Sequence, residues 1–342
     1  MSDHPTPTIP ATGREWHLKS RPVGWPKPED FELAEGEIRP PGPGQILVRN
    51  EYLSVDPYMR GRMSAAKSYI APFELGRAME GGAVGKVVVS HADGIAPGDH
   101  VLHFGGWREY ATIDAKQAVV VDPDAAPLSA YLGVLGMTGL TAYAGLLRTA
   151  GFKEGDIVFV SGAAGAVGSQ VGQLAKLLGA SRVIGSAGSD EKVKLLVDEY
   201  GFDAAFNYKK GPVAEQLRAA APDGIDVYFD NVGGDHLEAA IGLLNLHGRI
   251  AICGMISVYN DTEAAPGPRN LARLIATRGR MQGFLVGDHY DLQPQFVQQV
   301  GPWIGSGELK YRETVMEGIE KTVDAFLGVL RGENVGKMVV KL

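Results

Sequence analysis

The chain has 342 residues, 45% hydrophobic and 21% charged, an ordinary globular balance with length enough for two domains. Its net charge of −7 argues against non-specific nucleic-acid binding, and no apolar run reaches the roughly 18 residues that span a bilayer. The single cysteine, Cys253, excludes an intrachain disulfide and a thiolate-rich metal site. Met1–Pro10 is polar and lacks a basic region followed by an apolar one, so no secretory signal and a cytoplasmic location are expected.

From about Trp16 to Val121, short alternating runs predict strands near Gln45–Arg49, Gly82–Val89 and Gly106–Thr112. Pro41-Gly42-Pro43-Gly44 and Pro97-Gly98-Asp99 mark turns between them, as in a mostly antiparallel β domain. From about Pro127 to Val286 strands alternate with helices, the pattern of an α/β fold with a doubly wound parallel sheet. Further strands are expected at Ala204–Phe206, Val227–Phe229, Ile250–Cys253 and Met281–Leu285. The tail, Lys337–Leu342, reads as a strand that returns to the first domain. The expected division is 1–126 with 305–342, against 127–304.

The densest signal is Asp156-Ile157-Val158-Phe159-Val160-Ser161-Gly162-Ala163-Ala164-Gly165-Ala166-Val167-Gly168. An apolar strand meets a glycine-rich turn, and a helix Ser169–Leu178 follows, ending at Gly179. Gly165 lets backbone approach a pyrophosphate, and Gly168 lets the helix pack against the strand. The helix N-terminus then offers free N–H groups and a positive dipole end. Ala163 stands where the first glycine of the usual spacing would be, so the strand and helix context carries the reading. The next strand, Arg182–Ser186, lacks the Asp or Glu that bonds a ribose 2′-hydroxyl in NAD sites. It runs into Ser186-Ala187-Gly188-Ser189-Asp190-Glu191-Lys192. A small neutral rim with a nearby lysine favours the 2′-phosphate of NADPH, although Lys192 equally reads as a solvated helix residue.

The chain resembles the medium-chain dehydrogenase/reductase superfamily, and within it the zinc-independent alkenal/one double-bond reductase branch of prostaglandin and curcumin reductases. The resemblance rests on Arg14–Pro22, Ser54-Val55-Asp56-Pro57-Tyr58-Met59-Arg60, Gly136–Tyr143, Gly162–Gly168, Phe229–Gly234, Cys253–Asn260 and Gly332–Lys337. It implies a Rossmann domain joined to a GroES-like domain, a homodimer, and NADP(H) as cofactor. It implies cofactor contacts at Gly162, Ala164, Gly165, Ala166, Val167, Gly168, Ser189, Lys192, Tyr208, Asn231, Cys253, Tyr259, Phe284, Val286 and Asn334. Of these, Tyr208 equally reads as a tyrosine closing a strand.

Zinc members of the superfamily need three protein ligands, with a Gly-His-Glu near one strand. Here Ala78-Met79-Glu80-Gly81 puts a methionine at the histidine position, and no cysteine lies near Ser54–Asp56. No metal is expected, and His100 with His103 reads as incidental. A metal-free site suits conjugate reduction, in which hydride goes to the β-carbon of an enone and the carbonyl oxygen needs one or two fixed donors. The resemblance places Tyr259 and Tyr58 at the substrate as catalytic candidates, although Tyr259 also reads as an ordinary loop tyrosine and Pro57-Tyr58 as a rigid turn. Tyr69 and Met137 are candidates for the pocket wall. Trp107 reads as core or wall, and Arg269, Arg273, Arg278 and Arg280 as a solvated helix face and its C-terminal cap charges. The expected activity is NADPH-dependent reduction of enones or enals. A quinone reductase and a non-catalytic NADPH-binding sensor remain the alternatives.

Overall fold

The computed structural model describes residues 9–342. Most of Met1–Pro10, on which the expected lack of a secretory signal rests, lies outside them. The chain forms two compact units: Met1–Leu132 with Val315–Glu333 and Met338–Leu342, and Gly133–Thr314 with Asn334–Lys337.

The first unit carries β1 (Thr12–Leu18), β2 (Phe31–Glu37), β3 (Gln45–Ser54), the single turn α1 (Met59–Arg62), β4 (Ala83–Ser90), β5 (His100–His103), β6 (Tyr110–Asp114) and β7 (Val119–Val121). β1 and β2 form an antiparallel ribbon, and β3 pairs antiparallel with both β4 and β6. On β3, Ile46, Leu47, Val48 and Leu53 are all buried, so strand propensity and burial agree there. The strand expected over Gly106–Thr112 begins only at Tyr110, because Trp107 adopts a left-handed φ of 61° that no extended strand tolerates. Trp107 is fully buried, packed edge-on against Phe326 and stacked near Phe31. It belongs to the core.

The second unit carries α2 (Met137–Ala144), β8 (Ile157–Val160), α3 (Gly168–Leu177), β9 (Arg182–Ala187), α4 (Asp190–Asp198), β10 (Ala204–Asn207), α5 (Val213–Ala220), β11 (Ile225–Asp230), α6 (Gly234–Leu243), β12 (Leu244–Ile252), α7 (Arg273–Thr277), β13 (Arg280–Gly283) and α8 (Gln293–Ser306). Its six strands lie in the order β10-β9-β8-β11-β12-β13 and every pair is parallel. The chain winds outward from β8 through β9 and β10, then restarts at β11 on the other side. The strand order therefore reverses between β8 and β11, the place where open α/β sheets bind ligands. Phe159, Ile184, Tyr228 and Ile250 fill the core beneath it, as fully buried parallel strands require.

β14 (Glu313–Glu317), α9 (Thr322–Arg331) and β15 (Lys337–Lys341) close the chain, and β15 pairs antiparallel with β3 through Val339↔Ser54. The arginine face is corrected. Arg280 lies on β13, donating to the Thr149 carbonyl at 2.6 Å, and Arg269 precedes α7, bonded to Glu238 at 2.9 Å. Only Arg273 is within the helix, and Arg278 caps it with φ 51°.

Candidate functional site

In the second unit, Gly162 takes φ +58°, a conformation glycine adopts freely. Gly162 is therefore the turn residue, and Ala163 sits fully buried behind it without cost to the loop. A Cβ on Gly168 would lie 2.5 Å from the Gly162 carbonyl oxygen and 2.8 Å from the Ala163 Cα, so close helix–strand packing does require glycine there. Gly162, Gly165, Ala166 and Val167 are partly exposed, while Ala164 and Gly168 are buried. No side chain caps the N-terminus of α3, although the Ser169, Gln170 and Val171 N–H groups already bond the Gly165 and Val167 carbonyls, so what the helix end offers an anion is its positive dipole end.

At the end of β9, Ser186 is fully buried and its Oγ has no hydrogen-bond partner. Beyond it, the Ser189 hydroxyl caps α4 by accepting from the Lys192 N–H at 3.3 Å. The Lys192 ammonium is held below its usual range, first by burial and second by the like charge of Lys209. The hydroxyl of Tyr208 lies 3.0 Å from where a Gly188 Cβ would stand, so Gly188 admits the ring. Tyr208 opens a single helical turn after β10, and its neighbour Lys210 is paired with Asp190. Two ammonium groups, a phenol and a neutral strand end thus converge without an acid at the rim position, a donor set that fits a 2′-phosphate.

On the other side of the strand-order reversal, Asn231 donates from Nδ2 to the Ser161 carbonyl at 2.8 Å. Its side chain braces the glycine-rich loop. Asn334 donates from Nδ2 to the Gly336 carbonyl at 2.7 Å, and Gly336 N–H donates to the Ala164 carbonyl at 2.8 Å. Cys253 follows β12, with its thiol pushed up to about 12 by burial and then by the Asp230 charge, so it is no thiolate nucleophile. The Tyr259 hydroxyl folds back towards its own loop, 3.4 Å from the Met255 N–H. Phe284 meets Phe229 edge-on at 6.0 Å, and Val286 is half-buried just beyond it. Met137 opens α2 and is half-buried.

In the first unit, Tyr58 precedes α1. Its hydroxyl is buried without a hydrogen-bond partner, and burial, then the Asp56 charge, hold it protonated far above the ordinary range. Next to it in the electrostatic environment is Arg62, a residue that sequence reasoning passed over. Arg62 donates to Glu80 at 2.8 Å and to the Ala71 carbonyl at 2.9 Å, and its guanidinium lies 4.1 Å over the Phe73 ring. Tyr69 is exposed. Zinc does not fit this donor set. Met79 is fully buried, Ser54 Oγ bonds Asp56, and His103 is occupied by Asn50 at 2.9 Å. Among the described residues no group of three or more His, Cys, Asp or Glu side chains could hold a metal ion. His100 and His103, three apart on β5, point to opposite faces.

Residues 14–121 match the family model of an oxidoreductase N-terminal domain, and 166–301 match one described as a zinc-binding dehydrogenase. The chain is 46% identical to the NADP(+)-dependent 2-alkenal reductase of Nicotiana tabacum, over 94% of this chain and 95% of that one. It is 43% identical to the NADPH-dependent curcumin reductase of Escherichia coli strain K12, over 96% of each. The chain belongs to the alkenal reductase branch of the medium-chain dehydrogenase/reductase superfamily. The crystal structure of CurA with NADPH from Vibrio vulnificus superposes with TM-score 0.92 at 44% identity, covering 96% of this chain and 98% of that one. Membership explains the paired sheet types, and the zinc in one model's description does not extend to this member's side chains.

Proposed function

We propose that this protein uses NADPH to reduce the carbon–carbon double bond of α,β-unsaturated ketones or aldehydes. It is an NADP-dependent oxidoreductase acting on CH–CH bonds; relatives are named an NADP(+)-dependent 2-alkenal reductase and an NADPH-dependent curcumin reductase. The observation that carries the cofactor reading is the rim after β9, where Ser186, Gly188, Lys192 and Tyr208 replace an acid with neutral and cationic groups. NADPH, when bound, supplies the hydride. The residues at the strand-order reversal bind and orient it: the Gly162–Gly168 loop takes the pyrophosphate, and the Asn231 and Asn334 loops line the remainder.

Conjugate reduction leaves negative charge on the substrate's carbonyl oxygen, which needs a fixed donor. Tyr58 offers a hydroxyl that is buried, protonated and unsatisfied within the protein. Tyr259 offers a second, on the loop after β12. We assign the first unit to substrate, with Tyr69 as a wall residue, and the second to cofactor. No described helix is long and apolar enough to cross a membrane, and a cytoplasmic homodimer is our reading. The dimer is supported by β13, a sheet-edge strand exposed at all four residues.

The test is NADPH consumption against enones, alkenals, quinones and alcohols, followed by product analysis with deuterated NADPH. Deuterium on the β-carbon of a saturated ketone is the expected result. Deuterium on the carbinol carbon of an allylic alcohol would mean carbonyl reduction and would overturn the proposal.

A further inference from the structure

Ser161, at the end of β8, and Asp230, the last residue of β11, face each other across the strand-order reversal. Asp230 has no exposed surface. Its Oδ1 accepts from the Tyr228 hydroxyl at 2.6 Å, the Gly233 N–H at 2.7 Å and the Val232 N–H at 2.9 Å, and Ser161 Oγ lies 3.3 Å away. Ser161 Oγ in turn accepts the Asn231 N–H at 3.0 Å. The main-chain carbonyl of Asp230 accepts the N–H groups of Cys253 at 2.9 Å and Gly254 at 3.1 Å. Asp230 Oδ2 is buried with no hydrogen-bond partner.

A buried carboxylate is an expensive brace for a strand end, since removing its charge from water must be offset by its bonds. Every backbone donor that the residue takes belongs to a loop rather than to a strand or helix interior. Those loops are the ones that surround the strand-order reversal: Val232–Gly233 after β11 and Cys253–Gly254 after β12. Ser161 links the same cluster to the glycine-rich loop after β8. Gly233, held by its N–H, has a left-handed φ of 74°.

We propose that Asp230 is a positioning residue for NADPH. Through Ser161, Tyr228 and the Val232–Gly233 backbone its side chain sets the loops after β8 and β11 in their binding arrangement before the cofactor arrives. Binding then incurs no further loop-ordering cost, which is how preorganisation raises affinity. The inference rests on the cofactor reading above and not on the identity of the substrate.

The test measures NADPH affinity by fluorescence titration of Asp230→Ala and Asp230→Asn, beside their urea unfolding midpoints. No enone is present, so failure of the proposed reaction and failure of this inference read out separately. Losing the acceptor should weaken NADPH about tenfold in Asp230→Ala, the size of one hydrogen bond's worth of ordering. Asp230→Asn keeps an acceptor oxygen for the Val232 and Gly233 donors and should stay within about threefold of the native protein. An Asp230→Ala protein of lowered unfolding midpoint that binds NADPH normally would reduce the residue to a purely structural one. Should that variant fail to fold, Ser161→Ala and Tyr228→Phe remove partners singly: weakened NADPH in either supports the proposal, and native affinity in both overturns it.

Discussion

The ring of Tyr208 meets the imidazole of His236 edge-on, with centroids 5.2 Å apart. His236 is the third residue of α6, and burial pushes its imidazole down to about 4, so it is neutral at physiological pH. A neutral imidazole steadies Tyr208 without competing with Lys192 and Lys209 for a phosphate. In our proposal the 2′-phosphate rim at Tyr208 is thereby backed by the first turn of α6.

Lys192→Ala tests that rim. A hydrogen bond to a charged group contributes about 1.5–3 kcal/mol, so NADPH affinity should fall roughly ten- to a hundredfold. NADH affinity should barely move. Equal weakening of both cofactors in parallel titrations would make Lys192 a structural residue.

Tyr58→Phe separates catalysis from stability. The hydroxyl has no internal hydrogen bond to lose, so the unfolding midpoint should hold or rise. Turnover of an enone should fall by about 10²–10³, as for loss of an oxyanion donor. For Tyr259→Phe, whose hydroxyl lies against its own loop, about a tenfold loss is expected because water can substitute. Unchanged kcat in both variants would remove the tyrosines from the reaction.

Asp156 and Arg249 form a largely buried ion pair, with side chains 11% and 15% exposed. Arg249 also donates to the carbonyls of Ala150 at 3.1 Å and Gly151 at 2.9 Å. Asp156→Ala leaves that guanidinium without its counter-charge, and the second unit should lose about 3–5 kcal/mol. Chemical denaturation measures it; a loss under about 1 kcal/mol would mean that the pair is screened.

His103 gives the protein an acid-sensitive stability. Burial first, then the Arg108 charge, pushes its pKa to about 3, against about 6.5 unfolded. Between these values the unfolded chain binds the extra proton. Stability is therefore full above about pH 6.5 and falls as pH drops towards 3, by at most about 1.4 kcal/mol per pH unit from this group. His103→Gln should flatten that slope in urea titrations at pH 7 and pH 5, and an unaltered slope would assign the acid sensitivity elsewhere.

Metal removal should leave enone reduction intact. Met79, Ser54 and the engaged His103 supply no zinc coordination sphere. Dialysis against a strong chelator, followed by elemental analysis, checks it. One tightly held zinc per chain with activity lost on its removal would contradict the reading.

Local chemistry in the sequence determined the strand–glycine turn–helix at Asp156–Leu177, the neutral rim after β9 and the lack of zinc ligands. Each depends on residue types within a few positions: apolar runs, glycine spacing, and which side chains stand beside Ser54 or Met79. The same locality accounts for the errors, since Gly106–Glu109 alternates like a strand while Trp107 is turned out of one by its packing on Phe326. Tertiary structure alone decided that Gly162, not residue 163, makes the turn. It also decided that Tyr58 is buried unsatisfied, that Arg62 stacks on Phe73, and that Tyr259 bends over Met255. The Ser161–Asp230 brace is the plainest case. Its partners are 69 residues apart, and they meet only because β8 and β11 pair in parallel where the strand order reverses. Nothing periodic in the chain marks such a contact, because burial and hydrogen-bond partnership are properties of the packed sheet rather than of either segment.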